Sequence, residues 1–131
     1  MIILAIDPGR DKSGVVVAEE RVILERSVVP TARLGVVLRD WGSRYGVTQV
    51  VLGDRTGRDE VRQHLAVELP GIAVSLVQEG NTTLLARRRY FAEHPPGGWR
   101  RFLPVSMQVP PEPYDDYAAA IILERFLEAR R

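Results

Sequence analysis

The chain has 131 residues, 45% hydrophobic and 27% charged, which suits one soluble domain with a real core and gives a reading of 1–131 as one unit. It contains no cysteine, so disulfides, thiolate metal sites and cysteine nucleophiles are excluded. The opening MIILAIDPGR has no basic leader, and no later stretch reaches the ~20 apolar residues of a membrane span. The expectation is a cytoplasmic protein with no membrane partner.

The net charge of +1 does not by itself announce a nucleic-acid binder, but its distribution is uneven. Between Gly80 and Pro110, Arg87, Arg88, Arg89, Arg100 and Arg101 face a single acid, Glu93. From Pro111 onward acids outnumber arginines. A basic segment followed by an acidic one would suit an anionic polymer gripped beside a metal site. It equally describes a solvated helix face.

Residues 2–7 form a short apolar run cut by Pro8-Gly9 and read as a buried central strand. Gly14–Ala18 and Val22–Val29 follow as two more strands. Links this short force antiparallel pairing, because a parallel return needs a crossover of about a dozen residues. The period then changes. Leu34, Val37, Leu38, Trp41 and Tyr45 make one stripe of an amphipathic helix, with Thr31 as its expected N-cap and Gly46 as its stop. Val47–Gly53 reads as a fourth strand, and Val61, Leu65 and Leu69 mark a second helix ended by Pro70-Gly71. Ile72–Val77 is a fifth strand. A third helix is expected from Asn81-Thr82-Thr83 to about His94, then a proline-rich loop. Pro113 opens a last helix whose segment Tyr117–Leu123 is apolar on nearly every side and should be deeply buried. The whole predicts a mixed α/β sheet, three antiparallel strands followed by two parallel ones, flanked by helices.

The acids fall at informative places. Asp7 terminates the first strand, Glu79 follows the fifth, and Asp115-Asp116 open the last helix. In such a sheet Asp7 and Glu79 would emerge at one edge, outside the carboxyl ends of the strands, where open α/β sheets place their chemistry. Carboxylates without Cys or His make a hard-oxygen site suited to Mg²⁺ or Mn²⁺. Two such ions about 3.5–4 Å apart are a recurrent device for phosphodiester hydrolysis. Taken singly, each acid has an ordinary reading as a turn residue, a loop acid or a helix-start charge.

Three motifs then combine. Asp7-Pro8-Gly9 with Gly14 and a β-branched strand resembles the Asp-x-Gly-x4-Gly signature of the YqgF branch of the RuvC-like group, within the RNase H-like superfamily. Glu79 with Thr82-Thr83 is similar to that branch's Asp-Glu-Arg-x-Thr-Thr pattern. Asp115-Asp116-Tyr117-Ala118-Ala119-Ala120-Ile121-Ile122-Leu123 resembles its closing helix. The resemblance runs through the whole chain in order and implies an RNase H-like fold. It further implies Asp7, Glu79 and Asp115 as catalytic metal ligands, with Asp116 an adjacent alternative. Departures stand beside the matches: Asp11-Lys12 where the branch carries Lys-Arg, Gln78 and Gly80 in place of its Asp and Arg, and Ala118 where RuvC has a further Asp.

The activity expected from this is metal-dependent endonuclease cleavage of branched DNA, such as a Holliday junction, or of structured precursor ribosomal RNA. Lys12 would contact a phosphate, while Arg87, Arg88, Arg89, Arg100 and Arg101 would neutralise the backbone in a salt-sensitive way. Trp99 would either stack on a base or pack the proline-rich loop. Symmetric junction cleavage would call for a homodimer. The alternative is a weak or inactive RNase H-like protein that binds nucleic acid. An actin-like ATP-binding module uses a similar phosphate hairpin, but it needs two lobes and this length supplies one.

Overall fold

The computed structural model describes residues 1–54, 57–78 and 115–129, with the side chains of 115 and 116 outside the description. Five strands form one sheet in the order β3-β2-β1-β4-β5. They are β1 (Ile2–Asp7), β2 (Lys12–Glu19), β3 (Val22–Pro30), β4 (Gln49–Gly53) and β5 (Ala73–Val77). β1 pairs antiparallel with β2 and β2 with β3, while β1–β4 and β4–β5 are parallel. This is the mixed sheet read from the sequence. A register shift at Val17/Ala18 leaves Leu24 as an extra residue in β3.

Helices α1 (Leu34–Tyr45) and α2 (Arg58–Glu68) pack on each other and on one sheet face, burying Leu34, Leu38, Trp41, Val61 and Leu65 against Leu4, Ile6, Val15, Val17, Val50 and Leu52. α1 ends as expected at Gly46, which is left-handed at φ 67°. Its start is different. Thr31 does not cap α1; it opens a short 3₁₀ turn (Thr31–Arg33), and Arg33 takes the N-cap position without a side-chain hydrogen bond. The Thr31 hydroxyl is engaged elsewhere, at Gly9 O. Arg39 fastens α1 to α2 through two hydrogen bonds to Glu68, of 2.8 and 3.0 Å.

The opposite face is covered by α3 (Asp115–Ala129). Residues Tyr117 to Leu123 are all buried, as their apolar run predicts. Ala119, Ala120, Ile122, Leu123 and Leu127 meet Ile3, Ala5, Val16, Ala18 and Val51. Ala119 and Ala120 put small side chains against the sheet, and the larger Ile122, Leu123 and Leu127 fill the rest of the seam. The helix crosses the strands obliquely. Near its start the Tyr117 ring lies 5.0 Å from the Arg26 guanidinium of β3. Near its end, Arg125 donates a 2.8 Å hydrogen bond to Gln78 O, just beyond β5. No described helix is long and apolar enough to cross a membrane.

Candidate active site

β1 is central, and its last residue is a carboxylate. Ile6 is in register with Leu52, and Leu52 with Leu76, so β1, β4 and β5 end at one edge of the sheet. Alternation places Asp7 on the face of Ile3 and Ala5, the face that α3 covers. Asp7 is only 6% exposed, and its Oδ1 is buried. Burying a carboxylate is costly unless hydrogen bonds, a cation or a proton compensate it.

The neighbours of Asp7 across the sheet are small. Gly14 of β2 pairs with it directly. On β4, the residue after Leu52 is Gly53, which continues the register beside Asp7. The carboxylate is therefore flanked on both adjacent strands by residues without side chains.

The turn after Asp7 is held tightly. Gly9 N–H donates to Ser13 Oγ at 3.3 Å, Thr31 Oγ1 donates to Gly9 O at 2.7 Å, and the two hydroxyls lie 2.8 Å apart. Thr31 N–H also donates to Asp11 O at 2.9 Å. Gly9 is required sterically, because a Cβ there would stand 2.2 Å from Lys12 O. From the other side comes the start of α2, where Gly57 at φ 97° lies so close that its Cβ would stand 2.7 Å from Gly9 O. Lys12 is exposed and is the first residue of β2 rather than part of the preceding loop. It shares the sheet face of Gly14 and Asp7 by alternation and lies beyond the end of β1.

The other predicted acids are only partly placed. Asp115 and Asp116 open α3 on the same sheet face as Asp7. Near the helix start Tyr117 packs on Arg26 of β3, which is in register with Val16, and Val16 with Ala5. Glu79 lies outside the described residues, as do Arg87, Arg88, Arg89, Arg100, Arg101 and Trp99 and the helix expected over 81–94. Among the described residues, no three His, Cys, Asp or Glu side chains gather into a metal-holding group.

One acid escaped the sequence reading. Asp54 follows Gly53 at the end of β4, exposed at the same edge as Asp7. It obeys the strand-then-acid pattern that singled out Asp7 and Glu79. The Ser13–Thr31 pair was also missed, and only a three-dimensional contact reveals it. Two perturbed ionisations among the described residues lie in the α1–α2 layer. There the Arg39 guanidinium holds Glu68 below the usual carboxylate range, and the hydrogen bond to Glu25 pushes Tyr45 up.

No protein-family model matches the sequence, and no curated protein matches it by sequence. Solved structures do match. RuvC of Thermus thermophilus in complex with a Holliday junction substrate aligns at a TM-score of 0.62 over 99% of this chain and 95% of that one. The fold is RuvC-like. Identity to that RuvC chain is 18%. A second Thermus thermophilus RuvC structure aligns at a TM-score of 0.58 with 16% identity, covering 99% of this chain and 96% of that one. The similarity to RuvC thus extends over nearly the full length of both chains and lies in the path of the backbone rather than in residue identity.

The acids at this edge among the described residues, Asp7 and Asp54, offer carboxylate oxygens as donors. Carboxylate oxygen donors fit a hard divalent cation better than a soft one.

Proposed function

We propose that this chain is a divalent-metal-dependent nuclease that hydrolyses phosphodiester bonds in branched or structured nucleic acid. The observation that carries the reading is Asp7, a buried carboxylate ending the central strand of a RuvC-like sheet, with glycine on both sides. Asp7 would hold Mg²⁺ or Mn²⁺, one ion or a pair, together with Glu79, Asp115 or Asp116, and Asp54 from the neighbouring strand. Such ions supply Lewis-acid stabilisation of the phosphodiester oxygens.

The chain's own residues do the rest. The fixed turn from Pro8 to Asp11 keeps the backbone after Asp7 in one place, so the carboxylate needs little reorganisation when substrate arrives. Lys12 stands past the end of β1 on the face of Asp7 and would attract a phosphate without competing for Asp7's position. Arg87, Arg88, Arg89, Arg100 and Arg101 would neutralise the nucleic-acid backbone, giving affinity that falls steeply with salt. RuvC's complex with a Holliday junction makes branched DNA the first substrate to try. Working on a symmetric junction, the chain would act as a homodimer.

The test is nicking of labelled four-way DNA junctions and of structured precursor ribosomal RNA, with Mg²⁺, with Mn²⁺ and with chelator, for wild type and Asp7→Asn. Metal-dependent cleavage lost in the variant is expected. Salt-sensitive binding with no cleavage of either substrate would instead assign the chain to nucleic-acid binding without turnover.

A further inference from the structure

The hydrogen bonds around Gly9 form a closed ring, and their direction follows from counting protons. Thr31 Oγ1 has one hydrogen and spends it on Gly9 O at 2.7 Å. Ser13 must then be the donor across the 2.8 Å hydroxyl–hydroxyl contact. Ser13 Oγ in turn accepts from Gly9 N–H at 3.3 Å. The circuit runs from Gly9 N–H through Ser13 and Thr31 back to Gly9 O. Both hydroxyl-bearing residues are fully buried, so neither group has water to fall back on. In such a chain each bond polarises the next, and breaking one member leaves the others short of a partner.

The ring joins three elements where the candidate chemistry sits. Ser13 is the second residue of β2, beside Lys12; Thr31 follows β3; Gly9 is two residues past Asp7. Thr31 adds a second hold on the same turn through its backbone N–H to Asp11 O. Everything between Asp7 and Lys12 is therefore pinned from the end of β3, the strand at the far edge of the hairpins.

We propose that Thr31 and Ser13 are positioning residues for the active site: through the hydroxyl ring they set where the Asp7 carboxylate and the Lys12 ammonium stand relative to each other. The proposal rests on the nuclease reading of Asp7, but it is separable from it by experiment. Neither hydroxyl is a catalytic residue, because both are buried and each spends its one proton within the turn.

The deciding comparison is Thr31→Val, which keeps the shape and removes the hydroxyl, against Thr31→Ser, which keeps the hydroxyl. On a four-way junction at saturating Mg²⁺, Thr31→Val is expected to lower kcat by about 100-fold with KM changed less than about threefold, since a small misplacement harms the chemical step more than binding. Thr31→Ser is expected to restore kcat to within about threefold of wild type. Two readouts do not depend on cleavage. Gly9 amide exchange should accelerate by about tenfold or more in Thr31→Val and not in Thr31→Ser. The carboxyl ¹³C resonance of Asp7 on addition of Mg²⁺ should respond differently in Thr31→Val and like wild type in Thr31→Ser.

A folded Thr31→Ser as impaired as Thr31→Val would assign the effect to the methyl group and overturn the proposal. So would a Thr31→Val protein with wild-type kcat, Gly9 exchange and Asp7 resonance. If wild type cuts neither DNA nor RNA, the nuclease reading falls, while the exchange and ¹³C comparisons still decide the positioning role. Should Thr31→Val fail to fold, Ser13→Ala breaks the same ring and carries the same three measurements.

Discussion

Gly57→Ala is the sharpest test of how the α2 start meets the turn after Asp7. Two costs are separable there. Gly57 sits at φ 97°, where an L side chain is strained, and its added Cβ would stand 2.7 Å from Gly9 O and 2.8 Å from Gly9 C. Gly46 supplies the control: it is also left-handed, at φ 67°, but a Cβ there meets nothing within 4 Å. Gly46→Ala should therefore report conformational strain alone, about 1 kcal/mol. Gly57→Ala adds a backbone collision that no rotamer change relieves, a further 1–3 kcal/mol or so by the usual cost of overpacking. The expected total is about 3 kcal/mol, or roughly 10 °C in Tm for a chain of this size. Urea and thermal unfolding of both variants measure it. If Gly57→Ala costs no more than Gly46→Ala, the close approach of α2 to Gly9 is not rigid, and the argument that this turn is clamped from two sides fails.

Three further outcomes follow from the same structure. Mg²⁺ or Mn²⁺ should raise the Tm of the wild type and not that of Asp7→Asn, because only the wild type offers the buried carboxylate to the ion; equal shifts in a thermal melt would remove Asp7 from the metal site. Ile122→Ala should cost about 3 kcal/mol in chemical denaturation, since Ile122 is fully buried between α3 and the sheet; a loss below 1 kcal/mol or so would mean the seam collapses around the gap. Glu68, held below the usual carboxylate range first by its hydrogen bond from Arg39, has a lower pKa folded than unfolded. Its contribution is therefore present above the unfolded value of about 4.3 and fades as pH falls through the folded value. Glu68→Gln should flatten that acid-side slope slightly at low salt and not at high salt, as Arg39 is 75% exposed and the pair is screened.

Much of this architecture is written locally in the chain. Two short links between β-branched runs force the antiparallel hairpins, and the change to a helical period at Leu34 forces the crossover that makes β4 parallel. The all-round apolar segment Tyr117–Leu123 announces a helix sealed against a sheet face. Asp7 was legible because the end of an uninterrupted apolar strand is a conspicuous place for a charge. What escaped depends on distant partners. Thr31 has the local pattern of an N-cap, and nothing nearby reveals that its hydroxyl is taken by Gly9, 22 residues earlier. Lys12 reads as a loop residue until its pairing with Pro30 extends β2 backward. β5 has the composition of a core strand, yet it lies at the sheet edge with Val74 and Leu76 exposed, because strand order is a property of the assembled sheet. Asp54 is the exception: it follows a strand just as Glu79 does, so the local pattern was within reach of the sequence.

The oblique path of α3 bears on the order in which the protein can become whole. The α1 and α2 side of the sheet is in hand once β5 has been made, but the α3 side chains that pack on Ile3, Ala5, Val16, Ala18 and Val51 come only after the 37 residues between Val77 and Asp115 have been synthesised. Until then that apolar face of the oldest strands lacks the α3 side chains that pack on it in the finished protein. When α3 does arrive, it spans from β3 to the end of β5 in a single stroke, so closing the core and bringing Asp115 and Asp116 onto the Asp7 face are one event. A polypeptide halted before that helix could keep its hairpins and still lack the cover over the sheet face that carries Asp7.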